Sequence, residues 1–210
     1  MAQGEGVLVT AAMLSPAKAL TRLATSFQQQ GQHIGNQMTY VAHLATDSPN
    51  VGTLQEPMDA VIHQFKQLTA ACYQQAQGLV DPDQLSYLTS IPGIGLILGT
   101  RILAELGDIT RFHSPKQVVA YAGLDPRVKQ SGTTLNRNTK LTKRGSPDLR
   151  RALFLASNLA RRWNPDLMAY YQKKRAEGRS FTVANIATSR KLIDRIFVIL
   201  TEQRMYQKRA

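Results

Sequence analysis

Apolar residues return at helical spacing along most of this chain. Leu20, Leu23, Phe27, Ile34, Met38 and Val41 follow Ser15-Pro16, an N-cap and first-turn pair, and predict one long helix over residues 15–45, interrupted in pattern by Gly31 and Gly35. Asp47-Ser48-Pro49-Asn50-Val51-Gly52 has the chemistry of a turn. Met58, Val61, Ile62, Phe65, Leu68 and Cys72 then fall on one face of a second helix, from about Leu54 to Ala76. Residues 1–80 therefore read as an antiparallel, coiled-coil-like helical hairpin.

From Asp81-Pro82-Asp83 onward the helices are shorter and the punctuation is denser. One helix ends near Leu88, the turn Ile91-Pro92-Gly93-Ile94-Gly95 follows, and another helix runs from about Leu96 to Glu105 and stops at Gly107. Ser114-Pro115 caps a helix through Val118, Val119 and Tyr121, ended by Gly123 and Pro126. Ser146-Pro147-Asp148 opens a strongly apolar helix with Leu149, Ala152, Leu153, Ala156, Leu159 and Ala160 on its core face. Asn164-Pro165 begins the next helix, and after Glu177-Gly178-Arg179-Ser180 the last one carries Ile186, Ile193, Ile196, Phe197 and Leu200. Residues 127–145 lack apolar periodicity and read as one or two short strands within an extended basic loop. The fold class is mainly α: a helical hairpin, then an α domain at 81–210 with a short extended, β-like basic loop.

Charge sharpens that division. Residues 1–80 carry a net −1 and residues 81–210 a net +13. A segment this basic has nucleic acid as its natural partner, because neutralising phosphates releases counterions. No run of roughly 20 apolar residues spans a bilayer, and the apolar patch Val7 to Leu14 lacks the preceding positive charge of a signal peptide. A cytoplasmic protein without a membrane partner is expected. The single cysteine, Cys72, excludes an internal disulfide and reads as a small buried apolar residue, and His33, His43, His63 and His113 lack zinc spacing. No metal site is expected.

Two features carry chemistry. The Ile-Pro-Gly-Ile-Gly turn between helices, within residues 85–107, resembles a helix-hairpin-helix motif. Its glycines would let backbone approach a phosphate, and Gly93, Ile94 and Gly95 would donate amides with a helix dipole behind them. Such a grip carries no sequence specificity. Further on, Ser131-Gly132 lies in the basic stretch 127–145 among Arg127, Lys129, Arg137, Lys140, Lys143 and Arg144. These cations suit a phosphodiester under attack, but no His, Asp or Glu lies between Asp125 and Asp148 to take a serine's proton. On residue chemistry alone Ser131 is either a turn residue or a nucleophile. Tyr170 and Tyr171, beside Lys173, Lys174 and Arg175, lack the Arg/His pocket of a tyrosine recombinase and read as packing residues.

An ordered series of blocks narrows the choice. Ile91-Pro92-Gly93-Ile94-Gly95, Leu103-Ala104-Glu105-Leu106-Gly107-Asp108, Arg111-Phe112, Ala120 to Pro126, Gln130-Ser131-Gly132, Lys143-Arg144-Gly145 and Leu149-Arg150 together resemble the C-terminal domain of the insertion-sequence one-ten family of bacterial transposases, relatives of the pilin-gene invertases. The resemblance spans about Leu85 to Leu200. It implies a DNA transposase or site-specific recombinase whose serine, at Ser131 here, links covalently to DNA. It also implies a RuvC-like N-terminal domain with acidic ligands for Mg²⁺, a helical connector, and a structured guide RNA. Residues 1–80 offer only Glu5, Asp47, Glu56 and Asp59, so they match the connector, the RuvC-like half is not evident, and the chain itself is expected to bind no cofactor. Expected partners are DNA, the guide RNA, and further copies or a full-length transposase. The alternative is a truncated, non-catalytic DNA- or RNA-binding remnant, or a regulator of the intact enzyme.

Overall fold

The computed structural model describes residues 15–44, 52–126 and 141–207. The chain divides into two compact units, Met1–Leu79 and Val80–Ala210. All elements named below are helical, and among the described residues β pairing is confined to an isolated antiparallel bridge between Pro126 and Leu141. The short strands expected in the basic stretch are thus reduced, where described, to one bridge at its stems. Of the expected features, the apolar patch Val7 to Leu14, most of the turn after Asp47, and Arg127, Lys129, Ser131, Arg137 and Lys140 lie outside the described residues.

The first unit pairs α1 (Pro16–Leu44) with α2 (Gln55–Gln77), joined through a 3-10 turn at Gly52–Leu54. The helices run antiparallel: Phe27 and Gly31 meet Phe65, and Gly35 meets Ile62. The two glycines that interrupt the apolar pattern are the places where large side chains of α2 enter. A Cβ at Gly31 would stand 3.2 Å from that of Phe65. A two-helix seam is narrow, so Leu23, Val41, Val61 and Leu68 on its flanks stay exposed and Cys72 is only partly covered, against the expectation of full burial.

The second unit comprises α3 (Pro82–Thr89), α4 (Leu96–Leu106), a 3-10 turn at Ile109–Arg111, α5 (Pro115–Tyr121), α6 (Pro147–Trp163), α7 (Pro165–Ala176) and α8 (Phe181–Thr201). Its helix starts follow one recipe, an oxygen-bearing cap before the first turn. Asp81 accepts from the amides of Asp83 and Gln84, Ser146 from Leu149, Asn164 from Leu167 and Ser180 from Val183, each cap being worth about 1 kcal/mol. Ser114 holds the same position before α5 in extended backbone but makes no side-chain cap bond.

Helix α4 is the most thoroughly buried stretch, with every residue from Gly99 to Leu106 buried, and α8 packs on α3, α5, α6 and α7. Gly99 lets α3 lie close, since a Cβ there would meet Leu85 Cδ1 at 2.9 Å. Around it Leu88, Ile91, Leu124, Leu149, Leu153, Leu167, Leu192, Ile193 and Ile196 form one core. Each such side chain contributes about 1.5–3 kcal/mol of burial. Small residues, Ala152, Ala156 and Ala160, line the buried side of α6, and Ser157 meets Ser189 of α8 at 2.8 Å. Leu159, expected in the core, is 39% exposed. With Arg151 and Leu155, also exposed, it forms an outward row at four-residue spacing beside the buried row of Ala152, Ala156 and Ala160. Among the described residues no helix is long and apolar enough to cross a membrane.

Candidate nucleic-acid interface

The turn between α3 and α4 is built from its buried residues outward. Ile91 and Ile94 point into the core, and the Ile94 amide donates to the Ile91 carbonyl at 3.0 Å. Gly93 has φ +92°, and a Cβ there would stand 2.7 Å from both N and Cα of Ala160. The turn is pressed backbone to backbone against α6. Gly95, by contrast, is exposed with open space around it and caps α4 in extended conformation. Of the three predicted amide donors, then, Ile94 is committed inside the turn and Gly93 lies on α6. Gly95 and the first turn of α4, whose amides have no partner within the helix, form the outward face, flanked by exposed Leu96 and Ile97. The chain's end is tied to the same turn: the Tyr206 amide donates to Ser90 Oγ at 2.7 Å.

The second feature is the base of the segment 127–140. Its two stems, residues 121–126 and 141–146, cross at a pair of glycines. A Cβ at Gly145 would fall 1.9 Å from the Tyr121 carbonyl oxygen and 2.6 Å from the Gly123 nitrogen, and one at Gly123, where φ is +64°, would meet Arg150 Nη1 at 2.7 Å. Side chains cannot enter that crossing. Hydrogen bonds close it: the Ser146 amide to the Tyr121 carbonyl at 2.8 Å, the Thr142 amide to the Asp125 carbonyl at 3.1 Å, and Thr142 Oγ1 to Asp125 Oδ1 at 2.5 Å. Arg150 Nη1 donates to the Ala122 carbonyl at 3.2 Å, and Arg190 Nε of α8 to the Leu124 carbonyl at 2.8 Å. Burial lowers the pKa of Arg190 from its ordinary value, partly opposed by Tyr170 and Asp125.

Beneath the crossing sits Glu105, a carboxylate 2% exposed near the end of α4. Ser146 Oγ donates to Glu105 Oε2 at 2.7 Å, and Tyr121 Oη donates to the Glu105 backbone carbonyl at 3.2 Å. The Tyr121 ring is held in turn by Phe112, with centroids 5.4 Å apart, and by the Arg111 guanidinium 4.6 Å from its centre. Lys143 and Arg144, the two cations of the basic stretch within the described residues, are exposed on the returning stem, and Lys143 adopts φ +54°, uncommon for a residue with a Cβ.

Sequence reasoning passed over Glu105, Ser146, the glycine crossing and Arg190. One signal was available: a lone carboxylate between Ala104 and Leu106, in a helix whose other charged residue is Arg101, one turn earlier. Tyr171 meets Phe181 edge-on and lies under Arg161, 4.1 Å from the ring centre, while Tyr170 lies between Lys174 and Lys191. Among the described residues no three of His, Cys, Asp and Glu come together to hold a metal, so the Mg²⁺ implied by the resemblance does not fit the residues seen.

These features define the class: an α-helical domain with a glycine turn at one helix start and a clamped, cation-bearing loop base. Residues 85–172 match the family model described as the transposase IS116/IS110/IS902 family, and the chain carries a domain of that family. It is 32% identical over 160 residues to the insertion element IS110 uncharacterized 43.6 kDa protein of Streptomyces coelicolor, covering 76% of this chain and 38% of that protein. It is 30% identical over 125 residues to the pilin gene-inverting protein of Moraxella bovis (59% and 39%). It is 32% identical over 123 residues to the transposase for insertion sequence element IS1111A of Coxiella burnetii (56% and 33%). The chain spans between a third and two fifths of the length of these relatives.

Proposed function

We propose that this chain is the strand-exchange portion of an insertion-sequence transposase, binding DNA phosphates and supplying Ser131 as nucleophile. The observation that carries the reading is the clamped base of the segment 127–140, with Lys143 and Arg144 exposed on one stem, inside a domain of a transposase family. Gly95 and the α4 start act as a helix-hairpin-helix grip on backbone phosphate, and Arg127, Lys129, Arg137 and Lys140 add charge.

In the reaction the Ser131 oxygen forms a bond to phosphorus, the bond from phosphorus to the departing strand's oxygen breaks, and the serine proton ends on that oxygen. Attack by a strand hydroxyl on the serine-linked phosphate then releases Ser131. The proton relay would come from the acidic residues of a RuvC-like domain, which would also hold Mg²⁺ and complete the site beside this portion. DNA, a structured guide RNA, and either further copies or a full-length transposase are its partners, in the cytoplasm.

The test is a covalent adduct. The chain is incubated with Mg²⁺ and labelled element-end DNA, with and without the candidate RNA and a full-length transposase. An adduct present with the wild-type chain and lost with Ser131→Ala, at nearly unchanged DNA affinity, is expected. Binding with no adduct under any condition refutes catalysis and leaves a DNA-binding remnant.

A further inference from the structure

Both stems of the segment that carries Ser131 are fastened to one residue. The outgoing stem reaches Glu105 through Tyr121 Oη and the Glu105 carbonyl; the returning stem reaches it through Ser146 Oγ and the Glu105 carboxylate. The same Ser146 oxygen accepts the Leu149 amide at 3.2 Å, so one hydroxyl joins the buried acid to the start of α6. A carboxylate 2% exposed in α4 is costly to bury, and a purely apolar side chain would pack there at less expense. What the acid offers that a leucine does not is a directional acceptor for Ser146. The glycine crossing leaves no slack: with no side chain at 123 or 145, the stems stand at backbone contact, and a shift of Ser146 moves both.

We infer that Glu105 is a positioning residue for the chemistry of the loop, acting through Ser146 to hold the two stems in register. This rests on the strand-exchange reading above for what the loop does. The clamp itself is independent of it.

Hydrogen exchange of the peptide containing residues 141–146, read by mass spectrometry in the full chain, tests the clamp. Ser146→Ala should speed its exchange about tenfold, as expected for a lost buried hydrogen bond. Ser146→Thr, which keeps the hydroxyl, should restore it. Ser180→Ala removes only a helix cap, at α8, and should leave residues 141–146 unchanged. Glu105→Leu should also speed their exchange, and the double variant should fall short of the two single effects combined, because both remove the Ser146–Glu105 hydrogen bond. Additive effects, or equal acceleration by Ser180→Ala, overturn the clamp. The adduct assay tests the role: in Ser146→Ala the adduct rate at saturating DNA should fall about tenfold with DNA affinity within about twofold. Loosened stems with a normal adduct rate overturn the positioning role alone. No adduct from the wild-type chain overturns the strand-exchange reading and the role with it, while the exchange result still stands for the clamp.

Discussion

The backbone of Gly93 lies against that of Ala160 so closely that a Cβ at residue 93 would sit 2.7 Å from the alanine's N and Cα. Its φ of +92° adds a second demand for glycine. The two glycines of the α3–α4 turn therefore have different occupations, Gly93 in packing and Gly95 at an open helix start.

That difference sets the first prediction. Gly93→Ala should destabilise the chain by about 3 kcal/mol, combining left-handed strain with overpacking against backbone, whereas Gly95→Ala should change stability by less than about 1 kcal/mol. If Gly95 faces phosphate, a larger substitution, Gly95→Val, should weaken binding to all duplex sequences alike while thermal melting stays near wild type. Unchanged DNA affinity in folded Gly95→Val would exclude that helix start as a phosphate contact.

Lys143 offers a substitution that moves stability and binding in opposite directions. Its φ of +54° costs a residue with a Cβ more than it costs glycine, so Lys143→Gly should gain about 0.5 kcal/mol. The same change removes an exposed cation, and the slope of log affinity against log salt should flatten by about 1. Melting curves and a salt titration read the two effects. A drop in stability with an unaltered slope would contradict both the backbone and the phosphate assignments.

At the stem crossing, Gly145→Ala should cost about 3 kcal/mol or more, because the new methyl would collide with the backbone carbonyl of Tyr121. Gly178 provides the comparison: φ is +77° there, but nothing lies within 4 Å of a built Cβ. Gly178→Ala should therefore show conformational strain alone, about 1 kcal/mol. Equal losses at the two positions, measured by denaturant melts, would mean the crossing yields to a side chain.

The sequence exposed the helices of this fold because their ends are written locally. Asp81-Pro82, Ser146-Pro147 and Asn164-Pro165 each announce a helix by residue chemistry that needs no distant partner, and the helices begin there. The charge asymmetry and the Ile91 to Gly95 turn were equally visible. What stayed hidden depends on contacts far apart in sequence. Gly93 looks like a phosphate glycine until Ala160 is brought against it, and Gly145 looks like an ordinary loop glycine until Tyr121 crosses it. Glu105 and Ser146 are 41 positions apart, and no periodicity links them. Leu159 failed for the same reason: it stands in the exposed row with Arg151 and Leu155, and only the tertiary neighbours decide how wide a face of the helix is covered.

The last prediction concerns Asp194 on α8, beside a cavity of about 420 Å³ lined also by Lys191, Arg195, Arg204 and Tyr206. Partial burial raises the pKa of Asp194 above the usual carboxylate value, with Lys191 opposing. A raised pKa means that the folded chain holds this proton more tightly than the unfolded chain does. Stability from this group therefore falls as pH rises from the ordinary carboxylate range through the raised value. Asp194→Asn, which carries no charge to desolvate, should melt slightly higher than wild type at neutral pH, and the two curves should converge below about pH 4, where the aspartate is protonated in both states. A variant less stable than wild type at neutral pH would show that the attraction of Lys191 outweighs the cost of burial, and the sign of the shift would then be reversed.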